Sequence, residues 1–533
     1  MKQKDRRVIA EEWGKPKNRY FNFDLIIQYA ALKTDQSEYL LSDKSQVDLD
    51  FDLFFQYIDR TSSAVGQQLL YNQMVNQRLG VEQLVKQEEQ VQYFDDQVEK
   101  RIQCQHILGK LSKSNDYYFP YLMYSELPDK MFPSWIIRLL QWSMAISILL
   151  SILYPAAILV VVLLFSINLF LHYILKQRIG NFTTYFSRLS SLSKTIKKLL
   201  PHTNYLNDKK QNILSDAKHL DNITSKILFL KTDNLQHSEL GSIFWFLFEL
   251  LKIASLGEVT VFNRLVESIY TARPNIHNIY QSIGVIDIAI SICSLRDGLS
   301  YYSIPTFANK RKSLNLKSLY HPLVQDCVPN DIKLSDKSLL LTGSNMAGKS
   351  TFIKAVNLNC LSAQTMNTSF SKEYIAPSYI IKTSIDIKDN LDESTSYYME
   401  EVYSIGELIE SSDADDTLYL FTIDEIFKGT NTIERISSAK AILEYLNRKE
   451  HLILISTHDI ELTKLLDGGF DLYFFQESIS DRSLSFDYKI KKGILSKSNA
   501  ISILELAGYP NSIIDESRKM ATQLINEKTG NNS

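Results

Sequence analysis

The sequence predicts an α/β nucleotide-binding domain that follows an all-α region containing an apolar helical hairpin. Three observations predict this fold class. A Gly-x-x-x-x-Gly-Lys-Ser pattern occupies Gly343–Ser350, no Asp, Glu, Lys or Arg occurs between Leu139 and Leu175, and apolar residues recur at helical spacing through much of residues 51–300. With 533 residues, the chain is too long for a single core, and we expect about three or four domains.

The segment Gly343–Ser350, called the phosphate loop below, is expected to hold a polyphosphate. Its glycines let the backbone bend so that N–H groups point inward, Lys349 is placed to reach the outer phosphates, and the Ser350 hydroxyl can ligate Mg²⁺. The apolar run 338–342 predicts a buried strand before the loop, and the run 351–356 predicts a helix after it. We therefore expect ATP and Mg²⁺ as ligands, with the nucleotide contacted by Gly343, Ser344, Asn345, Met346, Ala347, Gly348, Lys349, Ser350 and Thr351.

Two further apolar runs end in polar side chains that suit nucleotide hydrolysis. The run 418–423 ends in Asp424, which can hold Mg²⁺, and Glu425, which can orient or deprotonate the attacking water. The run 452–457 ends in His458, which can contact a γ-phosphate. The alternatives are a solvated turn for the acidic pair and a capping role for the histidine. Lys349, Glu425 and His458 are thus expected to act in catalysis. Ser350 and Asp424 are expected to bind the metal.

The uncharged stretch in the middle of the chain predicts a transmembrane hairpin. As one helix, Leu139–Leu175 would be roughly 55 Å long, which exceeds a bilayer core of about 30 Å. Tyr154-Pro155 divides it into the segments Ser134–Tyr154 and Ala156–Leu175, and Lys or Arg flanks the pair on both sides, as the positive-inside rule requires. We expect an inner-membrane location with soluble domains in the cytoplasm. The alternative is a buried helical pair in a soluble domain, and 243–251 is expected to be a core helix.

The net charge and the cysteine content restrict which ligands and which cellular compartment are expected for the protein. A net charge of −3 gives no global basic footprint, so contact with nucleic acid would have to be local or made by a dimer. The four cysteines lack metal-ligand spacing and are expected to be reduced thiols in a cytosolic compartment. A modest basic cluster lies between 188 and 212, for which a solvated helix face is the alternative to DNA binding; it comprises Lys194, Lys197, Lys198, Lys209 and Lys210.

These boundaries divide the chain into five parts. We expect an N-terminal helical core or lever region at 1–130, the transmembrane hairpin at 131–178, and a second helical lever or core region at 179–300. The ATPase domain is expected at 301–525 and a disordered tail at 526–533.

Taken in order, the motifs of the nucleotide domain resemble those of the MutS family, the ATPases of DNA mismatch repair. The phosphate loop departs mildly from the family's usual Gly-Pro-Asn-Met-Gly-Gly-Lys-Ser at Ser344 and Ala347. Weaker likeness covers about 45–110 and 250–300, including Ile58–Gly66 and Ile283–Asp287. The other matching blocks are His321-Pro-Leu, Val328-Pro-Asn-Asp331, Asp424-Glu-Ile, Gly429-Thr-Asn-Thr432, Ser456-Thr-His458 and Leu506-Ala-Gly-Tyr-Pro510.

The resemblance implies an ABC-type, MutS-like ATPase domain that forms a homodimer with composite ATP sites. It implies that Ser394 and Ser396, which precede a helix starting at Tyr397, face the γ-phosphate bound by the other subunit; an ordinary helix cap is the alternative. The Gly429–Thr432 loop is expected to make a dimer contact. Where the family has an adenine-stacking aromatic, this chain has Cys327 or Val328, and Tyr488 is expected to stack from the far side.

Several parts of the family's pattern are not found in this sequence. We find no mismatch-reading domain with its Phe-x-Glu wedge and no connector domain, and the apolar hairpin largely takes the place of the clamp. The resemblance therefore favours ATP binding and hydrolysis by a dimer that acts on DNA. The alternative is a membrane-anchored ATPase that uses the same type of ATPase domain for a membrane or transport-coupled task without DNA.

Overall fold

The computed structural model describes most of the chain, and structural statements below concern the described residues. These are residues 1–533 apart from 2, 34–38, 78, 128–131, 205, 207, 228–238, 386–396, 414–416, 429, 467, 481–482, 496–499 and 531–533.

Helices dominate the first three hundred residues and also flank the sheets that follow. In chain order they are α1 Gln3–Glu12, α2 Phe23–Ile26, α3 Gln28–Leu32, α4 Asp43–Asp48, α5 Phe51–Ile58, α6 Ala64–Val75, α7 Val81–Asp96, α8 Val98–Leu108, α9 Phe119–Tyr124, α10 Ser134–Leu153, α11 Ile158–Leu199, α12 Lys210–Ile227, α13 Glu239–Ala254, α14 Gly257–Asp297, α15 Lys349–Met366, α16 Tyr397–Asp413, α17 Thr432–Asn447, α18 Glu461–Leu465, α19 Ala500–Leu506 and α20 Asn511–Gly530.

The strands all lie after residue 305. They are β1 Thr306–Phe307, β2 Ser313–Leu319, β3 Asn330–Ser335, β4 Ser338–Thr342, β5 Glu373–Ala376, β6 Ile380–Ser384, β7 Tyr419–Asp424, β8 Leu452–Thr457, β9 Phe470–Phe474, β10 Glu477–Ser480, β11 Ser483–Phe486 and β12 Lys491–Lys492.

The chain forms two compact units, and their boundaries differ from the expected domains. The helical unit contains residues 1–36, 59–72 and 85–298, and the α/β unit contains 37–58, 73–84 and 299–533. Two helical segments from the expected N-terminal region therefore belong to the α/β unit. Local hydrophobic spacing identifies them as helices but does not say which core they join. The last helix continues to Gly530, beyond residue 526, where we expected a disordered tail to begin.

The α/β unit is built on a six-stranded sheet with the order β12-β9-β4-β8-β7-β6. All neighbours pair in parallel except β12, which is antiparallel to β9. Strands β4, β7 and β8 are buried along their whole length, as expected for parallel strands covered on both faces. The strand, loop and helix predicted around the phosphate loop are thus present as β4, the loop and α15. A four-stranded sheet has the order β1-β5-β2-β3.

Two segments of the helical unit, which showed only weak resemblance to the family, are joined by one hydrogen-bond network. The Asp287 carboxylate, on α14, accepts hydrogen bonds from the backbone N–H groups of Ser62 and Ser63, both at 2.8 Å. It thereby caps the start of α6 from a distant part of the chain. Gly66 leaves the room for this contact, since a Cβ there would lie 2.2 Å from the carboxylate.

Helices α10 and α11 form the hairpin predicted from the uncharged stretch, although α11 runs on to Leu199 as a single helix. Among the described residues, three helical segments are long and apolar enough to cross a membrane: Ser134–Leu153, Pro155–Ile174 and α14. The first two segments are 17% and 11% buried, whereas the apolar part of α14 is 78% buried and forms the core of its unit. Length and composition alone would not separate these cases, but exposure does.

Candidate nucleotide-binding site

The strand ends of the six-stranded sheet bring the expected site residues together. Strand β4 pairs with β8, and β8 pairs with β7, so that Thr342 lies beside Thr457 and Asp424 beside Ser456. Because these strands are parallel, their carboxyl ends meet at one edge of the sheet. The phosphate loop, the acidic pair and His458 all follow those ends.

The phosphate loop has the backbone shape that its two glycines allow. Gly343 has φ +136°, and a Cβ there would lie 2.7 Å from the Phe475 carbonyl oxygen. Gly348 has φ +99° and directly precedes α15. Between them, Asn345–Ala347 forms one 3₁₀ turn, and the Ala347 N–H donates to the Ser344 carbonyl at 3.1 Å. The family's glycine at position 347 is dispensable here, because Ala347 does not have a positive φ.

Lys349 is a fully buried cation at the first position of α15. Its Nζ donates to the Gly343 carbonyl at 2.6 Å and lies 3.8 Å from Glu425 Oε1. Burial lowers its pKa, although the nearby Glu425 and Asp424 carboxylates oppose that shift. A phosphate would satisfy this cation more completely than one carbonyl, and the free N–H groups at the start of α15 face the same space.

Ser350 and Asp424 lie in contact, as a shared metal role requires. The Ser350 hydroxyl and the Ser456 hydroxyl both donate to the Asp424 carboxylate, one to each oxygen. One carboxylate and one hydroxyl form a suitable ligand set for Mg²⁺, which prefers to complete its shell with water and phosphate oxygens. In the described part of the chain there is no cluster of three or more His, Cys, Asp or Glu that could hold a metal by itself.

Glu425 is a buried carboxylate beside Lys349 and His458. It is only 8% exposed, has φ +62°, and follows the last residue of β7. Burial tends to raise its pKa, but Lys428, Lys349 and His458 outweigh burial and lower the pKa below the usual glutamate range. Within the described residues no donor makes a well-directed hydrogen bond to Oε1. The lowered pKa favours the ionised carboxylate, and Oε1 is available to accept a proton.

His458 lies at the mouth of the site, beside Glu425. Its side chain is 52% exposed, and Nδ1 approaches Glu425 Oε1 to 3.4 Å. The neighbouring Asp459 is held by two hydrogen bonds from Arg435, at 2.9 and 2.7 Å. This pairing fixes the loop that carries the histidine. Sequence reasoning missed Arg435 and Lys428, because neither belongs to a recognisable pattern.

A cavity of about 410 Å³ adjoins the phosphate loop and is open enough for a purine base. Tyr488, at φ +49°, lines it together with Val328, Met346 and Thr351. Asn330 links the two walls: its Nδ2 donates to the Val328 carbonyl at 3.1 Å and to the Tyr488 carbonyl at 2.9 Å. The structure thus places Tyr488 beside the loop, and its stacking on adenine stays a prediction. The role of Asn330 was not predicted, because its partner is distant in sequence.

The structure describes only some of the residues that are expected to act across a dimer. Ser394 and Ser396 lie outside the described residues, as does Gly429. Helix α16 begins at Tyr397, as the sequence predicted. In the loop expected to contact a partner, the Asn431 side chain caps α17 by accepting from the Glu434 N–H at 3.0 Å.

The comparisons with known proteins agree with this geometry. The family model for MutS domain V matches residues 339–525. Proteins named "DNA mismatch repair protein MutS" are similar over half of the chain: 32% identity over 286 residues in Leptospira interrogans, 28% over 288 in Caldanaerobacter subterraneus and 32% over 282 in Listeria monocytogenes.

These alignments cover 51–52% of this chain but only 32–33% of each relative. The chain thus spans about a third of the length of the curated relatives it matches. The matched region contains the phosphate loop, the acidic pair and His458, at positions that converge in the structure. Residues 339–525 therefore match MutS domain V, and about half of the chain is similar to MutS proteins.

Proposed function

We propose that this protein is a Mg²⁺-dependent ATPase of the MutS type. The observation that carries the proposal is the convergence of Lys349, Ser350, Asp424 and Glu425 at one edge of the parallel sheet, beside a cavity large enough for a base. Each group has a chemistry that ATP hydrolysis needs: a buried cation, a hydroxyl and carboxylate pair, and an ionised glutamate with an oxygen free to accept.

In this proposal the phosphates occupy the concave side of the phosphate loop. The N–H groups at the start of α15 donate to phosphate oxygens, and Lys349 exchanges the Gly343 carbonyl for a phosphate. Ser350 and Asp424 would hold Mg²⁺, which when bound neutralises charge on the β- and γ-phosphates. Glu425 accepts a proton from the attacking water, His458 contacts the γ-phosphate, and Tyr488 stacks on adenine.

The substrate and partners follow from the relatives. Because the named relatives are DNA mismatch repair proteins, we propose that the chain acts on DNA as a homodimer in which Ser394 and Ser396 complete the opposite ATP site. Exposed lysines on the helical unit support a local DNA contact; they are Lys194, Lys198, Lys209 and Lys210. Lys197 is less suited to this role, because it pairs with Asp221.

We further propose that α10 and the first half of α11 anchor the protein in the cytoplasmic membrane. Large apolar side chains cover their outer surface, among them Ile152, Leu153 and Leu159. Such an extended exposed apolar surface is costly in water and is the normal exterior of a membrane-spanning helix. The same surface supports the alternative function, an ATPase that serves a membrane task without DNA.

The ATPase proposal is tested by nucleotide binding and phosphate release with the full chain in nanodiscs. We expect Lys349→Ala to abolish tight ATP binding, while Lys440→Ala, which removes an exposed cation on α17, leaves binding unchanged. Equal ATP binding by wild type and Lys349→Ala would overturn the assignment. Extraction of the protein from membranes by alkaline carbonate would separately overturn the anchor.

A further inference from the structure

A second helix–turn–helix segment packs against the α10–α11 hairpin. It joins α13 to α14 through Leu256, which has φ +46°. Side chains of the hairpin satisfy its backbone: Asn168 Nδ2 donates to the Ala254 carbonyl at 3.0 Å, and Gln141 Nε2 donates to the Ser255 carbonyl at 2.7 Å. Carbonyl groups at a helix end need such partners most where water is absent.

The contacts fix the level of this turn along the hairpin. Asn168 contacts Ala254, and His172, one helical turn later, contacts Glu249 at 3.7 Å, so α13 runs antiparallel to α11. From Asn168 to Lys176, where the uncharged stretch ends, α11 rises about 12 Å. One leaflet of the hydrocarbon core is about 15 Å thick. The turn therefore lies level with the apolar part of the hairpin, within one leaflet of its charged end.

The expectation that 243–251 would be a core helix is wrong for the described part of α13, which exposes apolar side chains and buries a charged one. Phe246, Leu247 and Leu251 are 56%, 56% and 63% exposed, whereas Lys252 is 3% exposed. These apolar side chains lie at the same level as exposed apolar residues of α11, such as Phe170. Both helices thus present exposed apolar side chains at this level.

The charged side chains of this region face inward and pair with one another. Lys252 Nζ lies 2.7 Å from an oxygen of Glu249 and 2.7 Å from an oxygen of Glu258. His172 Nδ1 lies 3.4 Å from the other oxygen of Glu258. Charges are tolerated at membrane depth when they are paired and turned towards the protein interior.

We propose that the α13–α14 turn enters the near leaflet of the membrane as a re-entrant element, with the exposed face of α13 against lipid acyl chains. At 16 residues, or about 24 Å, α13 is too short to span a core of about 30 Å, so the chain turns back within the leaflet. This inference rests on the proposed hairpin anchor. It adds a second membrane element that hydropathy alone does not identify.

Depth-dependent quenching tests the inference on the full chain in liposomes. Single cysteines would be introduced by three matched substitutions and labelled with an environment-sensitive fluorophore. Leu251→Cys reports on α13, Leu163→Cys on the hairpin, and Leu214→Cys on an exposed position of α12. Cys327→Ser in the background removes the half-buried native thiol, and Cys104, Cys293 and Cys360 are buried.

We expect lipids brominated on their acyl chains to quench the labels at 251 and 163 but not the label at 214. Quenching at 163 without quenching at 251 would overturn the re-entrant turn and leave the hairpin anchor standing. Quenching at neither position would overturn both. A matching set of aqueous quenchers should give the inverse order, which excludes a general loss of fluorescence on labelling.

Discussion

Replacing Glu425 by Gln gives a sharp test of the hydrolytic site. Glutamine keeps the volume of the side chain but cannot accept a proton, and at 8% exposure little bulk water can take over that role. Losing a general base costs about 10²–10⁴ in rate. We therefore expect phosphate release to slow at least about a hundredfold, which corresponds to about 2.7 kcal/mol of activation free energy.

ATP binding should survive this substitution. The Glu425 carboxylate lies 3.8 Å from Lys349 Nζ and competes with phosphate for that cation. Removing its charge leaves Lys349 more available and removes a repulsion towards the nucleotide. We expect the dissociation constant for ATP to stay the same or fall.

The assay pairs steady-state phosphate release with binding of a fluorescent ATP analogue to the same preparation. Glu444→Gln is the matched control, because Glu444 is an exposed residue of α17 that pairs with Lys440. Turnover by Glu425→Gln within a factor of about three of wild type, with ATP bound, would refute the role of Glu425 as the general base, because the loss of a base is at least about a hundredfold.

Three further substitutions probe other parts of the structure. Tyr488→Ala should weaken ATP binding by about 1–3 kcal/mol, the range for loss of an aromatic stacked on a base, whereas Tyr488→Phe should bind like wild type in a titration. Gly343→Ala should prevent ATP binding, because its Cβ would lie 2.7 Å from the Phe475 carbonyl; wild-type affinity would contradict the loop geometry. Burial raises the pKa of Asp287 to about 6, against about 4 when unfolded, so folding takes up a proton between those values. This carboxyl should make the helical unit less stable as pH rises from about 4 to about 6, and thermal unfolding of Asp287→Asn should lack that slope.

The α/β site was largely predictable because its information is local. The phosphate loop, the strand before it and the helix after it are contiguous, and the acidic pair and His458 each end an apolar run. Strands that end at one sheet edge then bring these groups together. Tyr488 lines the cavity beside the loop, although its φ of +49° and its link to Asn330 were not foreseen.

The contacts that were not predicted join residues that are far apart in the chain. The Asp287 cap on α6 joins positions more than 200 residues apart, and no periodicity reports such a pairing. The same holds for His172 with Glu258. Mean hydropathy alone admits both α14, which is buried by other helices, and α10, which is exposed. The absence of charged residues favoured the hairpin as the membrane element, but only packing shows which helix is buried.

The most direct test of the proposed function measures ATPase activity of the full chain in nanodiscs with and without homoduplex, mismatched and branched DNA. We expect at least one of these DNAs to change the turnover rate, and the change to be lost when the exposed Lys194, Lys198 and Lys209 are replaced by Glu. A turnover rate that is indifferent to every DNA would contradict action on DNA and favour a membrane task for the proposed ATPase.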